Sequence, residues 1–350
     1  LTPLSIWAAA AASRPCTCCG TRTTSRHRHL PRALAFTAFN TALADTDPAR
    51  LELLRGSFLE PVAGRRFDLI ATNPPFVITP PAVREAGLPL MEYRDAGGPV
   101  LPTLLPALGE HLTGGGMAVM LGNWEHHAGQ DWRERVGGWL PDGVDAWVIQ
   151  REVQDPVEYA TMWLRDGGTT PERDRAGFEA ALGAWIDDFA GRDVEAVGFG
   201  YVVLYRPEDA DDAARAPWRV LEEITTQPTT PLGPHVAQVV HSRSRLAGMS
   251  DAEVVSLHPV VAPDVTEERH LRPGDSEPSV ILLRQGGGFA RSVRAYTALA
   301  ALVEVADGEL SVGQIATAVA ALTDADAKAL TARMVADARA LLADGLLLWE

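Results

Sequence analysis

From about residue 34 onward the apolar positions of this chain follow the rhythms of helices and strands, and before that they follow neither. Pro31 suits a first helical turn, and Leu34-Ala35-Phe36-Thr37-Ala38-Phe39-Asn40 predicts a helix with Ala35, Phe36, Phe39 and Leu43 on one face. Leu51-Glu52-Leu53-Leu54-Arg55 predicts a short strand that ends at Gly56-Ser57-Phe58, and Phe67-Asp68-Leu69-Ile70-Ala71-Thr72 predicts a buried one. Val77 to Pro81 reads as loop, and Pro102 and Pro106 interrupt the helix expected next. Gly114-Gly115-Gly116 leads into Met117–Leu121, a continuous apolar run suited to a buried strand, with Trp124-Glu125-His126-His127 at its end; these could line a site, but adjacent histidines at a strand exit are more often exposed loop than ligands. Val144–Ile149 gives another strand, Phe178 to Phe189 an amphipathic helix, and Val197–Tyr205 a long last strand. Strands alternating with helices imply an α/β fold, a mostly parallel sheet with helices on both faces.

The texture changes after residue 206. Pro207 to Pro217, rich in Asp and Ala, reads as a linker, and residues 218–350 as a smaller α+β domain. There Ser279–Leu283 predicts a strand with a Gly286-Gly287-Gly288 turn, and three helices follow. Ser311 with Gln314 predicts a capping box, and Leu330, Met334, Ala338 and Leu341 mark a helix closed by Gly345. Helices followed by Leu346-Leu347-Leu348-Trp349 suggest a winged-helix-like arrangement. The acidity of the chain favours substrate docking or dimerisation over DNA reading for it.

Length and composition narrow the classes. A chain of 350 residues has room for two domains, and 46% hydrophobic with 22% charged residues is ordinary for a soluble protein. No apolar run is long enough to cross a membrane, and Leu1–Ala12 lacks the basic leader of a signal peptide, so the expected compartment is cytoplasmic. A formal charge of −15 argues against broad phosphate binding, and a protein or a small RNA element is easier to accommodate than long duplex DNA. Cys16, Cys18 and Cys19 lie close to His27 and His29, but neither spacing matches a common zinc pattern, so no metal is expected.

The chemistry centres on Asn73-Pro74-Pro75-Phe76, directly after the buried strand Phe67–Thr72. Open α/β sheets keep their active sites at such strand ends. Two prolines fix two φ angles and remove two backbone donors, leaving the carbonyls of Asn73 and Pro74 without ladder partners. An amide oxygen, a carbonyl and a flat ring make a receptor for a planar NH2 group. The plainer reading is a turn whose prolines merely stop the sheet.

Asn-Pro-Pro-Phe after a strand resembles the motif of class I S-adenosylmethionine-dependent methyltransferases that modify amino or amide nitrogens, including glutamine-N5, adenine-N6 and guanine-N2 enzymes. The resemblance covers about residues 34–206 and implies a Rossmann-like sheet, closed by a hairpin-like pair of strands, that binds S-adenosyl-L-methionine. It also implies that Asn73 Oδ1 and the Pro74 carbonyl take the two N–H hydrogens while Phe76 stacks on the target. The nitrogen then becomes more tetrahedral and faces the methyl sulfonium, so catalysis is positioning and acceptor electrostatics. Ser57 and Phe58 are the implied adenine contacts, with a plain strand-to-loop turn as the other reading. Tyr93-Arg94-Asp95-Ala96-Gly97-Gly98 looks like the family's substrate loop, which makes Tyr93 and Asp95 candidates; Asp95 equally suits a helix cap.

Residues 1–33 contain five arginines and no acidic residue, so the remainder of the chain holds −20. The genetic code gives a reason for the break. Ile6-Trp7 and the alanines Ala8 to Ala12 can be encoded so that a neighbouring frame reads Asp-Leu-Gly-x-Gly-x-Gly. In that frame Ser13 to Cys19 conceals an amphipathic helix start, and further on Arg28-His29-Leu30 can be encoded so as to conceal an Asp-Ile-Ser strand end. A glycine-rich first turn and a downstream acid are what the resemblance requires upstream of Asn73. Residues 1–33 are therefore expected to be frame-shifted, with the cofactor loop scrambled; the alternative is an unusual N-terminal tail. The leading expectation is an N-methyltransferase acting on a protein glutamine or an RNA base. Nucleic-acid adenine-N6 or guanine-N2 methylation, and an inactive methyltransferase-like scaffold, stand beside it.

Overall fold

The computed structural model describes residues 6–8, 21–23, 30–45, 47, 51–54, 56, 58–81, 100–208 and 215–349. The chain divides into two compact units, Leu1–Thr225 and Thr226–Glu350.

The first unit contains a short parallel pair, β1 (Ile6–Ala8) with β2 (Thr21–Thr23), and helix α1 (Leu30–Leu43). Its main sheet is built from β3 (Phe67–Thr72), β4 (Leu112–His127), β5 (Asp145–Gln154), β6 (Val194–Tyr205) and β7 (Arg219–Glu223), in the order β3-β4-β6-β5-β7. β3 runs parallel to β4, and β6 is inserted antiparallel between β4 and β5. The result is a Rossmann-like α/β sheet of mixed direction; β5 and β6 are antiparallel neighbours, but two helices, Pro156–Asp166 and Arg175–Gly191, lie between them in sequence, so they do not form the expected hairpin. β7 adds a parallel edge beyond β5, so the segment expected to open the second domain belongs to the first unit's sheet.

Helices cover the two faces. On one face α2 (Val100–Glu110) and α3 (Trp132–Gly137) bury Leu101, Leu105, Leu108, Trp132 and Val136 against Ile70, Met120 and Trp124. On the other, α4 (Pro156–Asp166) and α5 (Arg175–Gly191) place Tyr159, Trp185 and Phe189 over Val194 and Val197. Pro102 lies in the first turn of α2 and Pro106 inside it, yet the helix is continuous. An interior proline costs about 3 kcal/mol, whereas burying Leu101, Leu104, Leu105 and Leu108 contributes about 2 kcal/mol each. Packing wins.

Two expected patterns differ from the structure. Residues 51–54 form no ladder; a short run without a pairing neighbour is no strand, and Leu54 simply packs on the core. α1 forms as expected but turns Phe39 and Leu43 outward, 62% and 76% exposed, while Leu34, Thr37, Ala38 and Thr41 are half-buried. This helix is apolar around most of its circumference, so periodicity does not select a face.

In the second unit, α6 (Leu232–Ala247) and α7 (Asp251–Val255) precede β8 (Val260–Val261), β9 (Val265–His270), β10 (Val280–Gln285) and β11 (Ser292–Ala295). The last three form an antiparallel sheet, β11-β10-β9. Helices α8 (Thr297–Glu304), α9 (Val312–Thr323) and α10 (Ala327–Asp344) follow, and β12 (Leu347–Leu348) pairs with β8. Ser311 and Gln314 form the expected reciprocal cap, and Gly345 closes α10 at φ 77°, a left-handed position that favours glycine. Leu283, Leu302, Val312, Ile315, Met334 and Leu341 are central to its core.

Candidate active site

β3 ends at Thr72, opposite Met120 of β4, but β4 continues to His127 with β6 as its partner. Asn73-Pro74-Pro75-Phe76 therefore leaves the sheet beside a strand that overhangs it. Asn73 is exposed, and among the described residues neither its side chain nor the carbonyls of Asn73 and Pro74 take part in a hydrogen bond. Pro74 is buried and Phe76 half-buried. The Phe76 ring meets Trp163 edge-on, with centroids 6.5 Å apart and planes at 74°, and packs against the cores on both faces of the sheet.

The chain beyond the motif is buried, which is unusual for a loop. Val77 is fully inaccessible, and Thr79 and Pro80 are buried. Backbone donors in such a segment need partners. The Ile78 N–H finds one in the Tyr159 hydroxyl at 3.0 Å, and Asn123 Nδ2 donates to the same oxygen at 2.7 Å. Tyr159 is itself fully buried among Trp163, Trp185, Phe189 and Phe199, with ring centroids 5.6 to 6.2 Å away.

Trp124-Glu125-His126-His127 lies within β4 and not in an exposed loop. Trp124 and Glu125 are buried and both histidines half-buried, because β6 pairs along this stretch and supplies the cover that a strand exit lacks. Trp124 Nε1 donates to Gln150 Oε1 at 2.8 Å, and His126 Nε2 lies 2.7 Å from the same atom. A carbonyl oxygen only accepts, so His126 carries its proton on Nε2. Gly198 makes room for this group: a Cβ there would lie 2.2 Å from Gln150 Oε1. The next pleat holds Glu125 against Arg192 (2.5 Å), His127 (3.1 Å) and Arg135 (3.5 Å). Burial opposes the charge on Arg192, but its hydrogen bonds to Glu125 and Asp188 raise its pKa above the ordinary value. These contacts brace the overhanging end of β4.

Phe58 adopts a left-handed φ of 44° and packs half-buried on the same apolar core as Leu54 and Phe76. Ser57, Tyr93 and Asp95, the other expected contacts, lie outside the described residues, as does most of residues 1–33. Sequence reasoning missed Tyr159 and Asn123. A tyrosine 81 residues beyond Ile78 carries no local signal of that contact. Among the described residues no group of three or more His, Cys, Asp or Glu could hold a metal ion, and no helix is long and apolar enough to cross a membrane.

Neither protein-family models nor curated proteins match the sequence. Among solved structures the chain is similar to a protein assigned as a sarcosine dimethylglycine methyltransferase from Galdieria sulphuraria. The identity is 11% and the TM-score 0.30, over 54% of this chain and 70% of that one. It is also similar to phosphoethanolamine N-methyltransferase 2 of Haemonchus contortus, in complex with S-adenosyl-L-methionine (11% identity, TM-score 0.26, 53% of this chain and 43% of that one). A third is an S-adenosylmethionine-dependent methyltransferase from Thiobacillus denitrificans, in complex with S-adenosyl-L-homocysteine (12% identity, TM-score 0.26, 53% and 75%). Likenesses of that size decide neither family nor activity, so the site is interpreted from the chain's own residues.

Proposed function

We propose that this chain is an S-adenosyl-L-methionine-dependent N-methyltransferase whose acceptor site is Asn73-Pro74-Pro75-Phe76 and whose target is a planar amide or amino nitrogen. The observation that carries the reading is the state of the acceptors. At the end of β3, the Asn73 amide and the Pro74 carbonyl have no hydrogen-bonding partner among the described residues. Two acceptors beside a half-buried ring match an NH2 group, which offers two hydrogens and a flat face. Accepting both hydrogens localises the nitrogen lone pair that conjugation would otherwise withdraw, and the Phe76 ring would stack on its plane. The cofactor supplies the methyl group on a sulfonium. Ser57 and Phe58 would contact its adenine, and the glycine-rich loop that would hold the remainder maps to residues 1–33.

A protein glutamine or a base in a small RNA fits the formal charge of −15 better than duplex DNA does. Labelled methyl transfer to total protein and to total RNA separates these substrates. Asn73→Ala should reduce transfer about 100-fold or more, as loss of a preorganised polar contact to the reacting group does, with cofactor affinity nearly unchanged. A large loss of cofactor binding would contradict the assigned role. Calorimetry with S-adenosylmethionine on the chain as written and on a frame-restored version tests the cofactor half. Binding by the restored chain alone is the expected result; binding by neither leaves a scaffold.

A further inference from the structure

The segment leaving the motif is held by one face of α4. Tyr159 and Trp163 are four residues apart on that helix, so they project from the same side. Trp163 meets the Phe76 ring edge-on, and two residues later the Tyr159 hydroxyl accepts the Ile78 N–H at 3.0 Å. We propose that Tyr159 is a positioning residue for the acceptor site: its hydroxyl ties the chain beyond Phe76 to the overhanging end of β4 and so fixes where Asn73 and Pro74 present their oxygens. The proposal rests on the methyl-transfer reading of that site.

Three features make the tie effective. The hydroxyl accepts from two donors on different elements, Ile78 of the loop and Asn123 of β4, so it joins loop and sheet at one buried point. Four aromatic rings enclose the phenol, which therefore cannot follow a drifting loop. Between this anchor and Asn73 lie Pro74 and Pro75, whose locked φ angles pass the anchor's position back to the acceptors. On its other side Asn73 adjoins Thr72, which is paired with Met120 in the sheet. The motif is thus stretched between a ladder and a clamp, with little torsional freedom in between.

Tyr159→Phe removes the hydroxyl and keeps the ring, and is made both in the chain as written, for amide exchange, and in the full-length frame-restored chain, for methyl transfer. Amide exchange at Ile78 should rise about 5- to 30-fold, the equivalent of losing one buried hydrogen bond. At saturating S-adenosylmethionine, labelled methyl transfer to total protein or RNA should fall about 10- to 100-fold, as misplacement by an ångström does. The fall should be in kcat and not in KM, with cofactor affinity within about 2-fold. A purely structural role would lower the melting temperature and leave the kcat of the folded fraction alone. Unchanged exchange at Ile78, or an unchanged kcat, overturns the proposal. If the unsubstituted frame-restored chain transfers no methyl group to either pool, the methyl-transfer reading falls and the catalytic half of this proposal with it; exchange at Ile78 still decides whether Tyr159 holds the segment. Should Tyr159→Phe not fold, Asn123→Leu removes one of the two donors, and exchange at Ile78 should then rise only about 3-fold. No rise at all counts against the clamp.

Discussion

Asp145→Ala should be the most damaging substitution in the first unit outside the apolar core. Asp145 opens β5 and is completely buried, and the Arg215 side chain is only 10% exposed. Its Oδ1 accepts from Arg215 Nη1 at 2.9 Å and from the Trp218 N–H at 3.0 Å, while Oδ2 accepts from Arg215 Nη2 at 2.6 Å. The pair therefore holds the approach to β7 against the edge of the sheet, where Ala146 pairs with Arg219. Alanine would take the carboxylate away from a largely buried guanidinium and from the Trp218 N–H, at a cost of about 3–5 kcal/mol. Set against a typical total of about 5–15 kcal/mol, that is about a fifth or more of the unit's stability. Tryptophan fluorescence suits the assay, because eight of the nine tryptophans lie within Leu1–Thr225. With a urea slope of about 2–3 kcal/mol per molar, the midpoint should fall by about 1–2 M. Asp145→Leu combined with Arg215→Met should be milder than Asp145→Ala alone, since removing both charges leaves no ion stranded. A midpoint shift below about 0.3 M for Asp145→Ala, or a double variant worse than the single one, would refute the reasoning.

Other outcomes follow from local geometry. A Cβ on Gly200 would lie 1.8 Å from the Ile149 carbonyl oxygen and 3.0 Å from the Trp124 ring, so Gly200→Ala should cost about 3 kcal/mol or more by urea melt. Gly183→Ala in α5, where nothing lies within 4 Å, should be neutral or stabilise by up to about 1 kcal/mol. In the second unit, burial and then the nearby Arg291 lower the pKa of His235, with Asp264 opposing them. The folded state therefore favours neutral imidazole, and stability is full above the unfolded value of about 6.5 and declines as pH falls from there toward the lower folded value. His235→Gln should flatten that acid-side decline in pH-dependent denaturation, and an unchanged slope would count against the assignment.

How much of this was legible in the sequence depended on how far apart the cooperating residues lie. The strand Phe67–Thr72 and the turn after it are contiguous, so apolar run and prolines read together and the strand has the expected bounds, but only Phe67 and Ile70 are buried, because β3 lies at the edge of the described sheet. The Ser311 cap and the Gly345 stop are also local, with the donor and its partner within one turn. The face of α1 was misread because its composition is nearly uniform around the helix. The run at 51–54 was misread because a strand depends on a neighbour that its own residues do not specify. Trp124 to His127 failed for the same reason in reverse: a polar stretch becomes strand because β6 returns alongside it and Gln150 and Arg192 arrive to meet its side chains.

The proposed acceptor site divides along the same line. Its chemistry is local, since Asn73, the Pro74 carbonyl and Phe76 are neighbours in sequence, and a strand in front of them is enough to suggest what they do. Its rigidity is not local. Ile78, Asn123 and Tyr159 come from a loop, a strand and a helix, and no pattern in a single sequence joins them. An enzyme that works by positioning depends on both. Residues that touch the substrate must have the right atoms, whereas the residues behind them need only the right shape and one well-placed oxygen. That second requirement can be met by many side chains in many registers, and so it leaves no motif. The consequence for mutagenesis is an asymmetry: Asn73→Ala should remove chemistry at fixed geometry, and Tyr159→Phe should loosen geometry with the chemistry intact. Exchange at Ile78 is the measurement that tells them apart, because only the second variant should change it.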